Sequence, residues 1–279
     1  MISDKCDFVE SVTPLKYIAY IPKSLVITTL PYTKFEGTEF VRKNGRYRLS
    51  VLASEDVGVP YGVVPRLLLI WIATEAKVRK SREIELGRSF RQFLLKLNMK
   101  STGGKDGSIG RVRRQLRSLF QCSISSSLAI GEWQDIESGM RLADHSHFWW
   151  QPHSEFSFKT GYIKLSEAFY NEIVYEAIPI DLRAVRSLQR SPMALDIYMW
   201  LSWRVFSLKR SCVIPWEELQ KQFGATYKKR WHFERAFSLH LIRIKGVYPQ
   251  VLAHSIKGRG LVLYPCQPHV SPNVNKSVG

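Results

Sequence analysis

The apolar positions fall into runs of helical spacing separated by short alternating stretches. Residues 31–47 contain strand-like pieces around an Asn44-Gly45 turn, and Arg48–Ala53 alternates as a strand. Pro65 sits where the first turn of a helix tolerates it, and Leu67, Ile70, Trp71, Thr74 and Val78 follow with a period of about 3.6 residues. Glu83–Leu86 reads as a short strand, and Phe90, Phe93, Leu94 and Leu97 mark a second helix. After the Gly-rich loop Ser101–Gly107, Ser108 is placed to cap a third helix running to about Phe120. Two strand-like stretches, Cys122–Ile130 and Met140–Trp150, close the first half.

The second half repeats this order. Tyr162–Leu165 reads as a strand, and Ser166 caps a helix through Phe169 and Ile173. Pro192 opens a long helix over Met193–Leu208, followed by a strand at Cys212–Pro215 and a helix at Trp216–Phe223 that Gly224 stops. A further helix spans Tyr227–Ile244, and strands at Val251–Ser255 and Leu261–Tyr264 flank a Lys257-Gly-Arg-Gly260 turn. Trp71 aligns with Trp200 in the long helices, Ile84 with Ile214 in the short strands, and Leu97 with Phe223 near the end of the next helices. Long helix, short strand, helix, turn, basic helix and hairpin, taken twice, is the order of a winged helix. The expected fold is therefore α+β, with two tandem winged-helix (helix-turn-helix) domains and short β-hairpin wings. A leader at 1–47 precedes domains at 48–155 and 156–270, and 271–279 form a flexible tail.

Charge adds a partner to this picture. The 279 residues hold 41 Lys and Arg against 24 Asp and Glu, a formal net charge of +17. Residues 1–150 contribute +8 and residues 151–279 contribute +9, so both halves are equipped for one polyanion, with nucleic acid ahead of a membrane surface. On a helical wheel Val112, Leu116, Leu119 and Phe120 cluster on one side. Arg111, Arg114, Arg117 and Ser118 lie opposite, with Arg113 on the flank. A major groove about 12 Å wide admits such a helix, and an Arg fork can hold guanine or phosphate with two bonds. Lys105 and the neighbouring glycine backbone are placed to meet phosphate at the helix N-terminus.

In the second half Lys228, His232 and Arg235 face outward, with Lys229 and Arg230 beside them. Trp231 either packs on the core or stacks on a sugar or base, and core packing is the commoner role of an aromatic. Leu239 and Ile242 project outward, so the far end of this helix is expected to be covered. Lys257 and Arg259 flank the hairpin turn as contacts with phosphate or the minor groove, or as solubilising charges.

Catalytic and metal chemistry is poorly represented. The four cysteines, Cys6, Cys122, Cys212 and Cys266, form no CxxC pair. The Ser101–Ser108 loop lacks the first Gly and the terminal Lys-Ser/Thr of a phosphate loop. His145, His147 and His153 lack a recognised metal spacing, so structural or solvent roles are expected. The start of the chain does not resemble a signal peptide, and the longest apolar run, Leu67–Ala73, is far too short to span a membrane. A cytoplasmic, non-enzymatic protein without a cofactor is expected. A DNA-nicking enzyme using a tyrosine is the alternative from the enzyme class.

Several runs resemble the plasmid-encoded RepA family of replication initiators. They are Leu30–Phe40, Pro60–Leu69, Thr74–Ala76, Glu83–Gly87, Ser101–Gly104 followed by Gly107–Ile109, Ser191–Tyr198, Ile214–Glu217 and Gln222–Ala225. Gly110 departs from the family, where a hydroxyl residue is usual at that turn. The resemblance covers about residues 30–270. It implies two winged-helix domains that bind repeated sites in double-stranded plasmid origin DNA and help melt an adjacent A·T-rich segment. It also implies recruitment of host replication initiator and helicase proteins in a bacterial cytoplasm, with a homodimer as a further, often repressing, state. A winged-helix repressor without initiator activity is the alternative built from the same modules.

Overall fold

Ser and Pro residues set the helix starts, and the apolar stripes decide which faces meet. The computed structural model describes residues 15–104, 107–129, 135–148, 161–224 and 226–271. A 3-10 turn at Leu15–Tyr17 leads into β1 (Ile18–Ile21), the single-turn helix α1 (Ser24–Ile27) and the hairpin β2 (Glu39–Asn44) and β3 (Tyr47–Leu52). Then follow α2 (Val63–Arg79), β4 (Glu83–Gly87), α3 (Phe90–Lys96), α4 (Ser108–Gln121), β5 (Ser123–Ala129), β6 (Asp135–Met140), β7 (Ala143–His147) and β8 (Gly161–Leu165). The chain continues through α5 (Glu167–Glu176), β9 (Ile178–Asp181), α6 (Leu182–Leu188), α7 (Pro192–Phe206) and β10 (Cys212–Pro215). It ends with α8 (Trp216–Phe223), α9 (Arg230–Val247), β11 (Ala253–Ile256) and β12 (Gly260–Leu263). The fold is α+β.

The caps explain the helix starts. The Ser191 hydroxyl accepts from the Ala194 amide, and Pro192 occupies the first turn of α7. Ser166 and Ser89 accept from the Phe169 and Gln92 amides at the starts of α5 and α3. Leu68, Leu69, Ile72, Ala73 and Ala76 of α2 are buried in the first half. In the second half Trp216, Phe223, Phe233 and Phe237 pack edge to face, with centroids of Trp216 and Phe237 5.6 Å apart. Burying each such side chain contributes about 1.5–3 kcal/mol.

The repeat seen in the sequence is stronger in the sheets than in the residues. The order α2, β4, α3, α4, β7, β8 is matched by α7, β10, α8, α9, β11, β12. Each set forms a three-stranded antiparallel sheet with the last strand in the middle: β4-β8-β7 and β10-β12-β11.

Sheet pairing corrects three expectations. The stretch Cys122–Ile130 does not pair with the end of the first half. β5 instead extends the β2–β3 hairpin, and β6 pairs with β5, giving the order β2-β3-β5-β6. Of the expected Met140–Trp150 stretch, residues 140–148 are described: Met140 ends β6, and Ala143–His147 form β7. The expected boundary at 155/156 also cuts the first sheet, because β8 pairs Glu83 with Lys164 and Ile84 with Ile163. An alternating pattern fixes which face of a strand is buried but leaves its partner open. Finally, the leader and short strands expected at 1–47 join both halves where they are described: β1 pairs with β9 of the second half, Ile18 opposite Asp181, while β2 and β3 pair around the Asn44-Gly45 turn in the first.

That leading segment fills the space between the two repeats. The Gln222 amide donates to the Ile27 carbonyl at 3.0 Å, the Thr29 hydroxyl donates to the Gln222 carbonyl at 3.0 Å, and Asn44 donates to the Ile27 carbonyl at 2.7 Å. At the centre, Arg66 of α2 meets Asp196 of α7, both 3 % exposed. Arg66 Nε and Nη2 each donate to one carboxylate oxygen at 2.7 Å. Nη1 donates to the carbonyls of Gly62 (2.6 Å) and Pro31 (3.3 Å), and Nη2 donates to that of Leu30 (2.8 Å). All five guanidinium N–H groups are thereby used.

Asp196→Ala is expected to lower the unfolding free energy by about 3–5 kcal/mol, because it strands a buried guanidinium. The double variant Arg66→Met/Asp196→Leu is expected to be less destabilised than Asp196→Ala alone. Urea denaturation followed by circular dichroism measures both, and a loss below about 1 kcal/mol for Asp196→Ala would contradict the buried pairing.

Candidate nucleic-acid interface

α4 presents the first group of cations. Val112, Leu116, Leu119 and Phe120 are buried as the wheel requires, and Arg111, Arg113, Arg114 and Arg117 are exposed. Two positions differ from the wheel. The Ser118 hydroxyl is buried and donates to the Val57 carbonyl at 3.0 Å. Arg117 pairs with Asp56 at 2.9 Å. The cause is the segment before α2, which lies along this side of α4. Gln115 accepts from the Tyr61 amide at 2.9 Å in the same strip. The Ser54 hydroxyl donates to Asp56 and, with Arg117 close by, holds that carboxyl below its ordinary value. The outward cationic row is therefore Arg111, Arg113 and Arg114, with Arg117 at its occupied end.

The loop before α4 is built around Ser108, which is buried and is the first helical residue; Gly107 takes the cap position. The Ser108 hydroxyl donates to the Lys100 carbonyl at 2.6 Å and accepts from the Thr102 amide at 2.9 Å, and the Thr102 hydroxyl accepts from the Ser108 amide at 2.9 Å. Ser108 thus organises the loop, its hydroxyl engaged by the Lys100 carbonyl and the Thr102 amide. A Cβ at Gly107 would collide with the carbonyl oxygens of Thr102 and Gly103, which explains the glycine. Lys105 lies outside the described residues, as do His153 and residues 272–279.

The second group surrounds the start of α9. The helix begins at Arg230, three residues later than the sequence pattern expects, so Lys228 and Lys229 precede it. Lys228, Lys229, Arg230, His232 and Arg235 are all exposed. Trp231 is 57 % exposed, with its ring against His232, so core packing is not its role. The aromatic core is complete without it through Phe233 and Phe237. Leu239 and Ile242 are exposed as the wheel requires, and nothing among the described residues covers them.

Lys257 and Arg259 sit at the tip of the β11–β12 hairpin, and Glu234 ties this tip to α9. Its carboxylate accepts from the Gly258 amide at 3.1 Å and pairs with Arg230 at 3.3 Å. The Trp216 indole donates to the Ile256 carbonyl at 2.9 Å, and a Cβ at Gly260 would strike the Ile214 backbone. The hairpin cations are therefore held at a fixed place beside the α9 N-terminus. One further cation escaped the sequence reading. Arg190, in the turn between α6 and α7, lines a cleft with Lys100 and Arg111. No helical stripe or motif marks it, because its neighbours arrive from the other repeat.

A family profile, "Plasmid encoded RepA protein", matches residues 59–218. The chain belongs to this family. Two crystal structures of domains 2 and 3 of RctB share the fold of this RepA-family chain. The selenomethionine derivative has a TM-score of 0.57 at 13% identity, covering 89% of this chain and 99% of that one. The other has a TM-score of 0.54 at 12% identity, covering 87% and 97%. No curated protein matches the chain. The family match spans α2 to the start of α8, so it takes in α4 and stops short of α9.

Ser108→Ala is expected to cost about 1–3 kcal/mol in urea unfolding, since it strands the Lys100 carbonyl and the Thr102 amide. Glu234→Ala is expected to speed hydrogen exchange at the Gly258 amide while leaving the amides of β10 protected. Unchanged exchange at Gly258 would contradict the anchoring of the hairpin.

Proposed function

We propose that this RepA-family protein is a plasmid replication initiator that binds duplex origin DNA through two winged-helix units. In the first unit α4 enters the major groove, with β4, β7 and β8 as the sheet beside it. In the second unit α9 does so, and the β11–β12 hairpin is the wing. One observation carries the reading: two sheets of identical strand order each accompany a helix whose apolar side is buried and whose other side carries exposed cations.

The roles divide by position. Arg111, Arg113 and Arg114 read bases or grip phosphate from α4, and Lys105 meets phosphate in the loop before it. Lys228, Lys229, Arg230, His232 and Arg235 do the same work at the α9 N-terminus, and Lys257 and Arg259 meet the backbone beside it. No bond is made or broken. Phosphate contacts supply affinity, base contacts supply register, and bending of the duplex favours opening of a neighbouring A·T-rich segment. Recruitment of host initiator and helicase proteins completes the role, in the cytoplasm of the bacterial host.

Footprinting on DNA flanking the gene, followed by permanganate probing of unpaired thymines, tests this reading. Protection of repeated sites together with reactive thymines nearby is expected. Protection without opening would favour a repressor, and covalent protein–DNA adducts would indicate nicking.

For Arg111→Gln/Arg114→Gln, the slope of log K against log salt is expected to become shallower by about 2 on a mixed-sequence duplex. Gel shift across a salt series measures it, and an unchanged slope would remove α4 from the interface.

A further inference from the structure

We infer that the cleft between the two repeats, walled by Lys100, Arg111 and Arg190, is a seat for a DNA backbone phosphate that both units grip at once. This inference rests on the duplex-binding reading above and adds a site to it. The cleft has a volume of about 460 Å³. Lys100 and Arg111 come from the loop and helix of the first repeat, Arg190 comes from the α6–α7 turn of the second, and the first turns of α2 form the floor.

Its chemistry is one-sided. Among the described residues no carboxylate lines the cleft, and none of the three cations has an ion-pair partner. The remaining polar groups, Asn98, Thr102, Ser108 and Gln189, carry no charge. Like charges converging on one concavity repel, and an anion between them removes that repulsion.

The walls are fixed on both sides. Ser108 holds the Lys100 carbonyl at 2.6 Å, and the Ser191 amide donates to the Leu188 carbonyl at 3.0 Å, pinning the turn that carries Arg190. Beneath the cleft α2 is locked to α7 by Arg66 and Asp196. The cations therefore do not depend on a mobile loop for their spacing.

The occupant is a phosphodiester of duplex DNA because the cleft is continuous with the outer face of α4. Arg111 belongs to both, one turn before Arg114. A strand passing the N-terminal end of α4 would carry its next phosphates toward Arg190. A small free anion would satisfy the same cations, and the experiment separates the two sources.

The test uses the full chain and a fluorescent mixed-sequence 30-base-pair duplex, titrated across a salt series. Arg190→Gln is expected to weaken binding several-fold and to make the log–log salt slope shallower by about 1, while Arg190→Lys restores most of both. Lys209→Gln removes the same net charge beyond the far end of α7, a helix about 22 Å long at 1.5 Å per residue that starts beside Arg190, and is expected to shift the slope far less. Equal effects of Arg190→Gln and Lys209→Gln would overturn the site, as would no effect of Arg190→Gln. Thermal stabilisation by millimolar sodium phosphate, lost in Arg190→Gln while the DNA slope is unchanged, would assign the cleft to a free anion and overturn the backbone assignment. A parent protein that shows no salt-dependent duplex binding would instead sink the duplex-binding reading itself.

Discussion

The buried ion pair between Arg66 and Asp196 is the constraint on which the arrangement of the two repeats depends. Removing two charges from water costs several kcal/mol per ion, and mutual attraction offsets that only when the remaining hydrogen-bonding capacity is filled. Here it is filled, two bonds going to the carboxylate and three to the carbonyls of Leu30, Pro31 and Gly62. Those carbonyls belong to the segment between α1 and β2 and to the residue before α2. The guanidinium thus fixes three things together: the start of α2, the face of α7 and the strand of backbone threaded between them. An apolar pair of the same volume could fill the space, but it would remove the guanidinium's bonds to the Leu30, Pro31 and Gly62 carbonyls and specify no single register.

Rigid placement of the interunit segment follows from the same site. β1 pairs with β9 of the second half, and β2, which begins at Glu39, pairs with β3 of the first. Between them Thr29, Ile27 and Asn44 exchange hydrogen bonds with α8 and with each other. Arg42 adds a buried cation whose Nη1 donates to the Lys221 carbonyl at 3.4 Å. The segment that reads in sequence as a mixed leader is therefore the layer that joins the repeats. Its polar residues point inward because the backbone of α8 offers carbonyls there.

What was legible in the sequence was local. The starts of α5 and α7 follow from Ser166 and Ser191, and α8 ends at Gly224 as expected. The helical stripes of α4 and α9 are correct where each helix meets only its own core. They fail at Ser118 and Arg117, because the strip around Asp56 and Val57 covers a side that the wheel treats as open. Strand partners were not legible. β5 looks the same in sequence whether it pairs with β3 or with β7, since alternation encodes faces and not neighbours. Arg66 gives no signal either, being one charged residue in the apolar first half of α2 whose partner lies 130 positions away. Arg190 was hidden for the same reason: its companions exist only once α6 and α7 have packed. Trp231 was misjudged in the opposite sense. A helix needs only one stripe of aromatics for its core, and Phe233, Phe237 and Leu241 already supply it.

Under the proposed duplex-binding reading, a joint of this kind changes how the two units act. Units on a flexible linker raise one another's effective concentration, but each still loses orientational freedom on binding. Units locked through α2, α7 and the threaded segment have lost that freedom on folding, so the second contact adds affinity at little further entropic cost. The restriction is geometric, since only sites whose spacing and helical phase match the fixed separation of α4 and α9 can engage both. Spacing thus becomes a source of specificity that no base contact encodes, and its strength depends on the stiffness of the joint. Loosening the Arg66–Asp196 pair would therefore reduce discrimination between correctly and incorrectly spaced sites more than it reduces affinity for a single site. The proposed phosphate seat between Lys100, Arg111 and Arg190 would act in the same direction, because its occupancy would be greatest when the joint holds its native angle.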